Sequence, residues 1–365
     1  MILAVLASGV DSLYMSAKGT VRPGLWPTLE VVKKLAHDAG EAEMFEWPVA
    51  GRTMALKPHG VRTYGYWFTS PDFELMLCQN DRFPAAMVQL HSAFLHSVGV
   101  DAAIDAAASV LNEDVFAFPC EFNVSRIDLY ADVQGWTLEL GHLPRFVSLG
   151  RARRGFGQVE EFTTGHRLTG FRFGAGGGLM VRIYDKTIEI GRRGLAWLPD
   201  LWGERQSDAP VWRIEAQFKR DALMDFNPPL RTVDEVLARM QALWRYVTGE
   251  WLTYREPTSD ARERRWPIDP VWREVQAIEL APSSVDVVRG RIAQAEELRL
   301  VQGGLGYLTS WAALRNHREL DGALEAIRPV LARYLESKES TFRDVVKRKQ
   351  ARRLEVSGPG EESAA

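Results

Sequence analysis

Three segments of this chain alternate charged and apolar residues with a period of two, and no other feature constrains the fold as tightly. In Arg126–Val133, Arg126, Asp128, Tyr130 and Asp132 share one parity, while Ile127, Leu129, Ala131 and Val133 share the other. In Met180–Lys186, Arg182, Tyr184 and Lys186 alternate with Val181 and Ile183. In Val211–Lys219, Arg213, Glu215, Gln217 and Lys219 alternate with Trp212, Ile214, Ala216 and Phe218. Successive side chains of a β-strand point to opposite faces. Each segment therefore reads as a strand with one core face and one ionisable face. If the three share a sheet, their polar faces pool three carboxylates, two tyrosines and five cations. A solvated face with cross-strand ion pairs accounts for any one such strand; three alike point to a site.

The flanking sequence gives these strands an α+β setting. Val10–Ala17 reads as a strand and Thr28–Ala39 as a helix closed at Gly40. Val49–Lys57, Val61–Thr69 and Phe73–Cys78 read as strands, separated by the turn formers Pro58-His59-Gly60 and Ser70-Pro71-Asp72. Pro84–Leu111, apolar and Ala-rich, reads as one or two helices. The order then recurs: a strand at Glu121–Val133, a helix at Leu138–Ser148, and strands at Gln158–Thr163, Leu168–Phe173, Leu179–Lys186 and Val211–Lys219. A capping box, Thr232-x-x-Glu235, opens the next helix. The expectation is an antiparallel sheet core built of two similar strand–helix–strands units, residues 1–117 and 118–252, followed by a helical C-terminal region, 253–365. In that region Pro270–Glu279, Val285–Val301 and much of Trp311–Leu354 read as helical, and Ser357–Ala365 as a frayed tail.

Several function classes are disfavoured. Cys78 and Cys120 are the only cysteines, so neither a disulfide framework nor a zinc cluster is expected. Met1–Ala7 is apolar but lacks a basic flank, and no run approaches about 18 apolar residues, so a cytoplasmic protein without a membrane span is expected. Gly174–Gly178 is followed by no Lys-Ser/Thr and reads as a hairpin turn, not a phosphate loop. Among the seven histidines there is no His-hydrophobic-His triplet, and His91 and His96 read as ordinary helix residues. The net charge of −3 counts mildly against phosphate binding, although 45 Lys and Arg residues can be gathered on one face.

The pooled face suggests its own chemistry. Asp128, Asp132 and Glu215 offer hard oxygen ligands suited to Mg²⁺ or Mn²⁺. Asp128 and Asp132 stand about 13 Å apart along a regular strand, so Asp128 with Glu215 is the closer pair. A phenol beside a metal-bound phosphate can attack phosphorus while Arg182, Lys186 and Arg213 hold its charge. Tyr184 is the first candidate and Tyr130, on the same face, its rival. Arg343, Lys347, Arg348, Lys349, Arg352 and Arg353 form a basic helical run, either a solvated helix end or a DNA-backbone contact.

The same residues resemble a known family. Arg126-Ile-Asp-Leu-Tyr-Ala-Asp132, Arg182-Ile-Tyr-Asp-Lys186 and Trp212-Arg-Ile-Glu215 with Phe218-Lys219 are similar, in order and spacing, to motifs of rolling-circle replication initiators of the Rep_trans type. Phe171-Arg-Phe-Gly174 resembles the strand that precedes the tyrosine motif there. The resemblance implies a nuclease core, and a DNA-nicking and joining enzyme of plasmids or phages. Tyr184 would be linked to a 5′ phosphate, and Asp128, Asp132 and Glu215 would hold Mg²⁺ or Mn²⁺. It implies origin DNA, single-stranded or cruciform, as partner; given such a partner, Arg126 and Lys219 on the strands and Arg343, Lys347, Arg348 and Lys349 of the basic run are the candidate DNA contacts. A host helicase and a second copy of the chain are further partners it allows. The alternative is a catalytically silent DNA-binding or phage accessory protein of the same fold.

Overall fold

The three alternating segments are neighbouring strands of one large antiparallel sheet. A computed structural model describes residues 3–149, 159–164, 167–174, 177–193, 197–203, 209–280, 301 and 304–356. The strands are β1 (Ala4–Ala17), β2 (Glu43–Trp47), β3 (Arg52–Leu56), β4 (Tyr66–Thr69), β5 (Phe73–Leu77), β6 (Ala86–Leu90), β7 (Phe122–Gln134), β8 (Phe146–Ser148), β9 (Val159–Thr164), β10 (Arg167–Phe173), β11 (Leu179–Asp185), β12 (Trp212–Lys219) and β13 (Leu252–Tyr254). Eleven of them form one sheet in the order β2-β3-β4-β5-β6-β1-β7-β12-β11-β10-β9, while β8 and β13 pair with each other. The long strands β1 and β7 lie side by side, β6 flanks β1, and β12 flanks β7. The sheet therefore runs without a break across the 117/118 boundary.

Parity divides the two faces. Val10, Leu13 and Met15 of β1 join Ile127, Leu129, Ala131 and Val133 of β7 and Trp212, Ile214, Ala216 and Phe218 of β12 in one buried core. Helices α1 (Leu25–Ala39), α2 (Ser92–Val98) and α3 (Val100–Ser109) belong to the N-terminal half, α4 (Lys186–Arg193) and α5 (Leu198–Leu201) join β11 to β12, and α6 (Arg220–Met224), α7 (Val233–Leu237), α8 (Met240–Tyr246) and α9 (Pro270–Gln276) follow. Leu29 of α1, Ala103 and Ala107 of α3, Val236 of α7, Trp244 of α8 and Trp272 of α9 seal that core face. Both indoles are satisfied, Trp244 donating to the Val275 carbonyl and Trp272 to the Thr248 carbonyl. Thr232 and Glu235 form the expected capping box. Beyond them lie α10 (304–314), α11 (Leu320–Glu336) and α12 (Phe342–Val356). No single helix among the described residues is long and apolar enough to cross a membrane.

Several sequence readings need correction. Ala86–Leu90, expected inside a helix, is strand β6, held between β5 and β1; a short apolar run has no period of its own to separate strand from helix. Leu138–Ser148, expected as a helix, is a 3₁₀ turn at Leu140–Arg145 followed by β8. Pro144 lies inside that turn and removes a helical donor. Val49–Lys57 is a turn followed by β3, and the strand before it, β2, was not expected. Most of Val285–Val301, the centre of the Gly174–Gly178 turn and the tail Ser357–Ala365 lie outside the described residues.

Candidate functional site

β7, β12 and β11 are adjacent, so their polar faces do pool. Register sets Asp132 opposite Arg213 and Arg213 opposite Tyr184; it likewise sets Tyr130 opposite Glu215 and Glu215 opposite Arg182. Asp128 faces Gln217, and Arg126 faces Lys219. Asp128, Glu215 and the Tyr184 ring thus share one sheet face, opposite the hydrophobic core.

Tyr184 is half-buried on this face. Its hydroxyl donates to Glu215 Oε2 at 2.9 Å and accepts from Lys186 Nζ at 3.3 Å. Lys186, at the start of α4, also pairs with Glu189 at 2.5 Å. Arg182 binds the other oxygen of Glu215. Burial pushes the Glu215 carboxyl up, but Arg182, then Arg213 and Lys186, outweigh it and hold it below the usual carboxylate value. Burial, and next the Glu215 charge, lift the Tyr184 phenol well above its ordinary value. The pair is a hydroxyl that keeps its proton, beside an ionised carboxylate placed to take it.

Room for that tyrosine comes from a glycine. Gly170 of β10 stands opposite Tyr184, and a Cβ there would lie 2.7 Å from the Ile183 carbonyl oxygen and 2.8 Å from Tyr184 Cβ. Neither is the free end of a flexible side chain. Gly170→Ala is therefore expected to cost about 1–3 kcal/mol of stability and to displace Tyr184 from its place beside Glu215. An unchanged urea midpoint would show that this contact is not tight.

The other two carboxylates are engaged separately. Asp128, buried, is bound by Arg126 through Nε at 2.9 Å and Nη2 at 2.6 Å. Burial pushes the Asp128 carboxyl up to about 7 against the pull of Arg126, and the Glu215 charge adds to the rise. Asp132, also buried, accepts from Arg213 at both oxygens, 2.6 and 2.7 Å, and from the Trp202 indole at 2.8 Å. Arg213 reaches further, donating through Nη1 to Asp11 at 2.5 Å.

Asp11 is the site residue that sequence reasoning missed. It sits where the β1–β7 register slips between Val10 and Ser12, and the preceding Gly9 has φ 146°. That bulge turns Asp11 toward Arg213. β1 also outruns β6, whose last residue, Leu90, pairs with Leu13, and α2 packs beside the extra length. From α2, Ser92 donates to Asp11 at 2.8 Å, and His96, buried, lies 3.8 Å away through Nε2. Burial would raise the Asp11 carboxyl, yet Arg213, His96 and Lys186 hold it well below its ordinary value. The only sequence signal was a glycine two places before an aspartate inside a strand. His96 is not an ordinary helix residue either: its Nδ1 lies 3.4 Å from the Tyr130 hydroxyl. Tyr130 itself is 1% exposed, with the Arg213 guanidinium 4.1 Å from its ring centroid, so it cannot meet a substrate as a rival nucleophile.

The carboxylates do not fit a hard dication as they are arranged. Each is bonded by a guanidinium, and among the described residues no group of three or more His, Cys, Asp or Glu side chains is placed to hold a metal ion. Nor does the basic helix join the Tyr184 face. Arg343, Lys347, Arg348 and Lys349 are exposed on α12, which packs against β3, and Lys347 pairs with Glu43 of the edge strand β2 at 3.2 Å.

No family model matches the chain. It is 24% identical over 285 residues to the uncharacterized protein ORF430 of Pseudomonas phage Pf1, a similarity covering 67% of this chain and 62% of that protein.

Proposed function

We propose that this protein nicks and rejoins DNA as a replication initiator, with Tyr184 as nucleophile and Glu215 as the base that receives its proton. The supporting observation is the 2.9 Å hydrogen bond from the Tyr184 hydroxyl to Glu215 on a partly open sheet face. In this reading the two strand–helix–strands units meet at β1 and β7, and the second unit is the nuclease core. Tyr184 Oη attacks the scissile phosphorus, its proton passes to Glu215, and the bond from phosphorus to the 3′ oxygen breaks. The leaving oxygen takes a proton from solvent. The products are a 5′-phosphotyrosine and a free 3′ hydroxyl, the end a polymerase extends. Lys186 and Arg182 stand beside the attacking oxygen to balance charge gathering on the phosphate. One phosphodiester replaces another, so the reverse reaction rejoins the strand without ATP.

The test is incubation of the protein with labelled single-stranded DNA, followed by denaturing electrophoresis for a covalent adduct. A Mg²⁺ and Mn²⁺ series belongs in it, because metal dependence would require Asp128 or Glu215 to exchange its arginine for the ion. The observation that every carboxylate carries a guanidinium also favours a second reading, a DNA binder that keeps the fold without the reaction; absence of any adduct across that series selects it.

The rate should depend on pH in a way that separates the base from a preformed phenolate. Glu215 is ionised from below its ordinary value upward, and Tyr184 stays protonated until well above pH 10. Adduct formation assisted by Glu215 therefore falls in acid and, from about pH 6 to 9, carries no more than a shallow step near 7 as Asp128 ionises on the same face. A rise of about tenfold per pH unit across that range would mean the phenolate forms first, without Glu215.

A further inference from the structure

The Tyr184 face continues onto the N-terminal half of the sheet, and its composition there differs. Direct cross-strand pairings link Trp67 to Met76, Met76 to Met87 and Met87 to Ser16. Ser16 shares its parity with Tyr14, which pairs with Arg126 of β7. Trp67, Met87, Tyr14 and Arg126 are therefore all on the face that carries Tyr184, and all four are partly exposed. Between them the shorter polar side chains Glu74 and Gln89 are buried. From β4 to β11 there are six inter-strand spacings, about 29 Å at ~4.8 Å each.

The two partly exposed rings on this stretch, Trp67 and Tyr14, are each paired with a cation. Lys57 Nζ lies 3.7 Å from the Trp67 ring centroid, and the Arg126 guanidinium lies 4.9 Å from that of Tyr14. Trp67 is oriented by its indole N–H, which donates to Glu74 at 3.0 Å. Beside Trp67, Val61 and Tyr64 pack with Met76, Met87 and Cys78 and close that end of the face. At the other end α2 and Trp202 cover Asp11 and Asp132. Aromatic rings paired with cations, along a face that leads to a nucleophilic tyrosine, match one polymer chemistry. Unpaired bases stack on rings irrespective of sequence, while their phosphates meet cations. A duplex keeps its base faces stacked internally and presents only edges and backbone to a protein.

We propose that the N-terminal half of this face is a track for single-stranded nucleic acid, in which bases stack on Trp67 and Tyr14 and phosphates contact Lys57 and Arg126, leading the strand to Tyr184. The proposal rests on the DNA-processing reading of Tyr184 and adds the path of the strand and the residues that hold it.

The experiment measures affinity by fluorescence anisotropy with a labelled oligothymidylate of about 20 nucleotides, longer than the usual single-strand site, and with the same strand in a blunt duplex. The full chain is compared with Tyr14→Leu and Trp67→Leu, and with Tyr14→Phe and Trp67→Phe, which keep a stacking ring. Expected is tighter binding of the single strand than of the duplex. Each Leu variant should lose about tenfold or more, in line with stacking worth about 1–3 kcal/mol per base. Each Phe variant should stay within about twofold. Leu variants that bind like the unmodified chain, while Tyr184 still forms an adduct, overturn the track and leave the nickase reading standing. An unmodified chain that binds no single strand overturns both. If a Leu variant fails to fold, photocrosslinking of the unmodified chain to a bromodeoxyuridine-substituted strand decides. Crosslinks in peptides containing Tyr14 or Trp67 support the track, and crosslinks confined to other peptides overturn it.

Discussion

Tyr184→Phe is expected to abolish the covalent protein–DNA adduct while leaving single-strand affinity within about twofold. The substitution removes one oxygen, and the ring keeps its place opposite Gly170 and Arg213. It deletes the attacking atom and the hydrogen bond to Glu215, but leaves Glu215 bound to Arg182. No buried charge is left unpaired, so stability should change by only about 1 kcal/mol. Glu215→Gln is the companion variant. It keeps the shape but cannot accept the phenolic proton as an ionised carboxylate does, and a loss of roughly 10²–10⁴-fold in rate is the scale for a missing general base. An adduct that survives Tyr184→Phe, mapped to another residue, would sink the assignment of the nucleophile.

The largest effect on stability is expected from Arg213→Met. Arg213 is fully buried between Asp132 and Asp11, and it bonds both. Without the guanidinium, a buried Asp132 and a partly buried Asp11 of like charge face a gap, a loss on the scale of about 3–5 kcal/mol. The measurement is the urea midpoint at neutral pH, read with the slope unchanged so that the difference reports stability. Lowering the pH should partly reverse the damage, because protonation discharges the stranded carboxylates. The unmodified protein should behave the opposite way. Asp11 is held well below its ordinary value of 3.8, so its contribution is complete above about pH 4 and is lost as the pH falls through the lower folded-state value. A cost under about 1 kcal/mol for Arg213→Met would mean that the network is solvated and not a buried lock.

Much of the Tyr184 face is legible in the sequence alone, and the reason is local. Parity along a strand belongs to consecutive residues, so Arg126–Asp132, Arg182–Lys186 and Arg213–Lys219 already displayed which side chains share a side. The apolar parity named the core as well: Ile127, Leu129, Ile183, Ile214 and Phe218 are all buried. The partner of each charge was not legible. The sequence suggested three carboxylates converging on an ion, whereas Arg126 takes Asp128 along its own strand and the register brings Arg213 to Asp132 and Arg182 to Glu215. Asp11 meets Arg213 across 202 positions of chain, through a bulge and the end of β6. Ala86–Leu90 could not reveal itself as a strand, since its conformation is imposed by β5 and β1 on either side. Composition of a face is a short-range property with a fixed period, and this chain carries it in plain order. Pairing across strands depends on register, bulges and strand lengths, which are set only when the whole sheet closes, and there the tertiary structure decided which acid met which base.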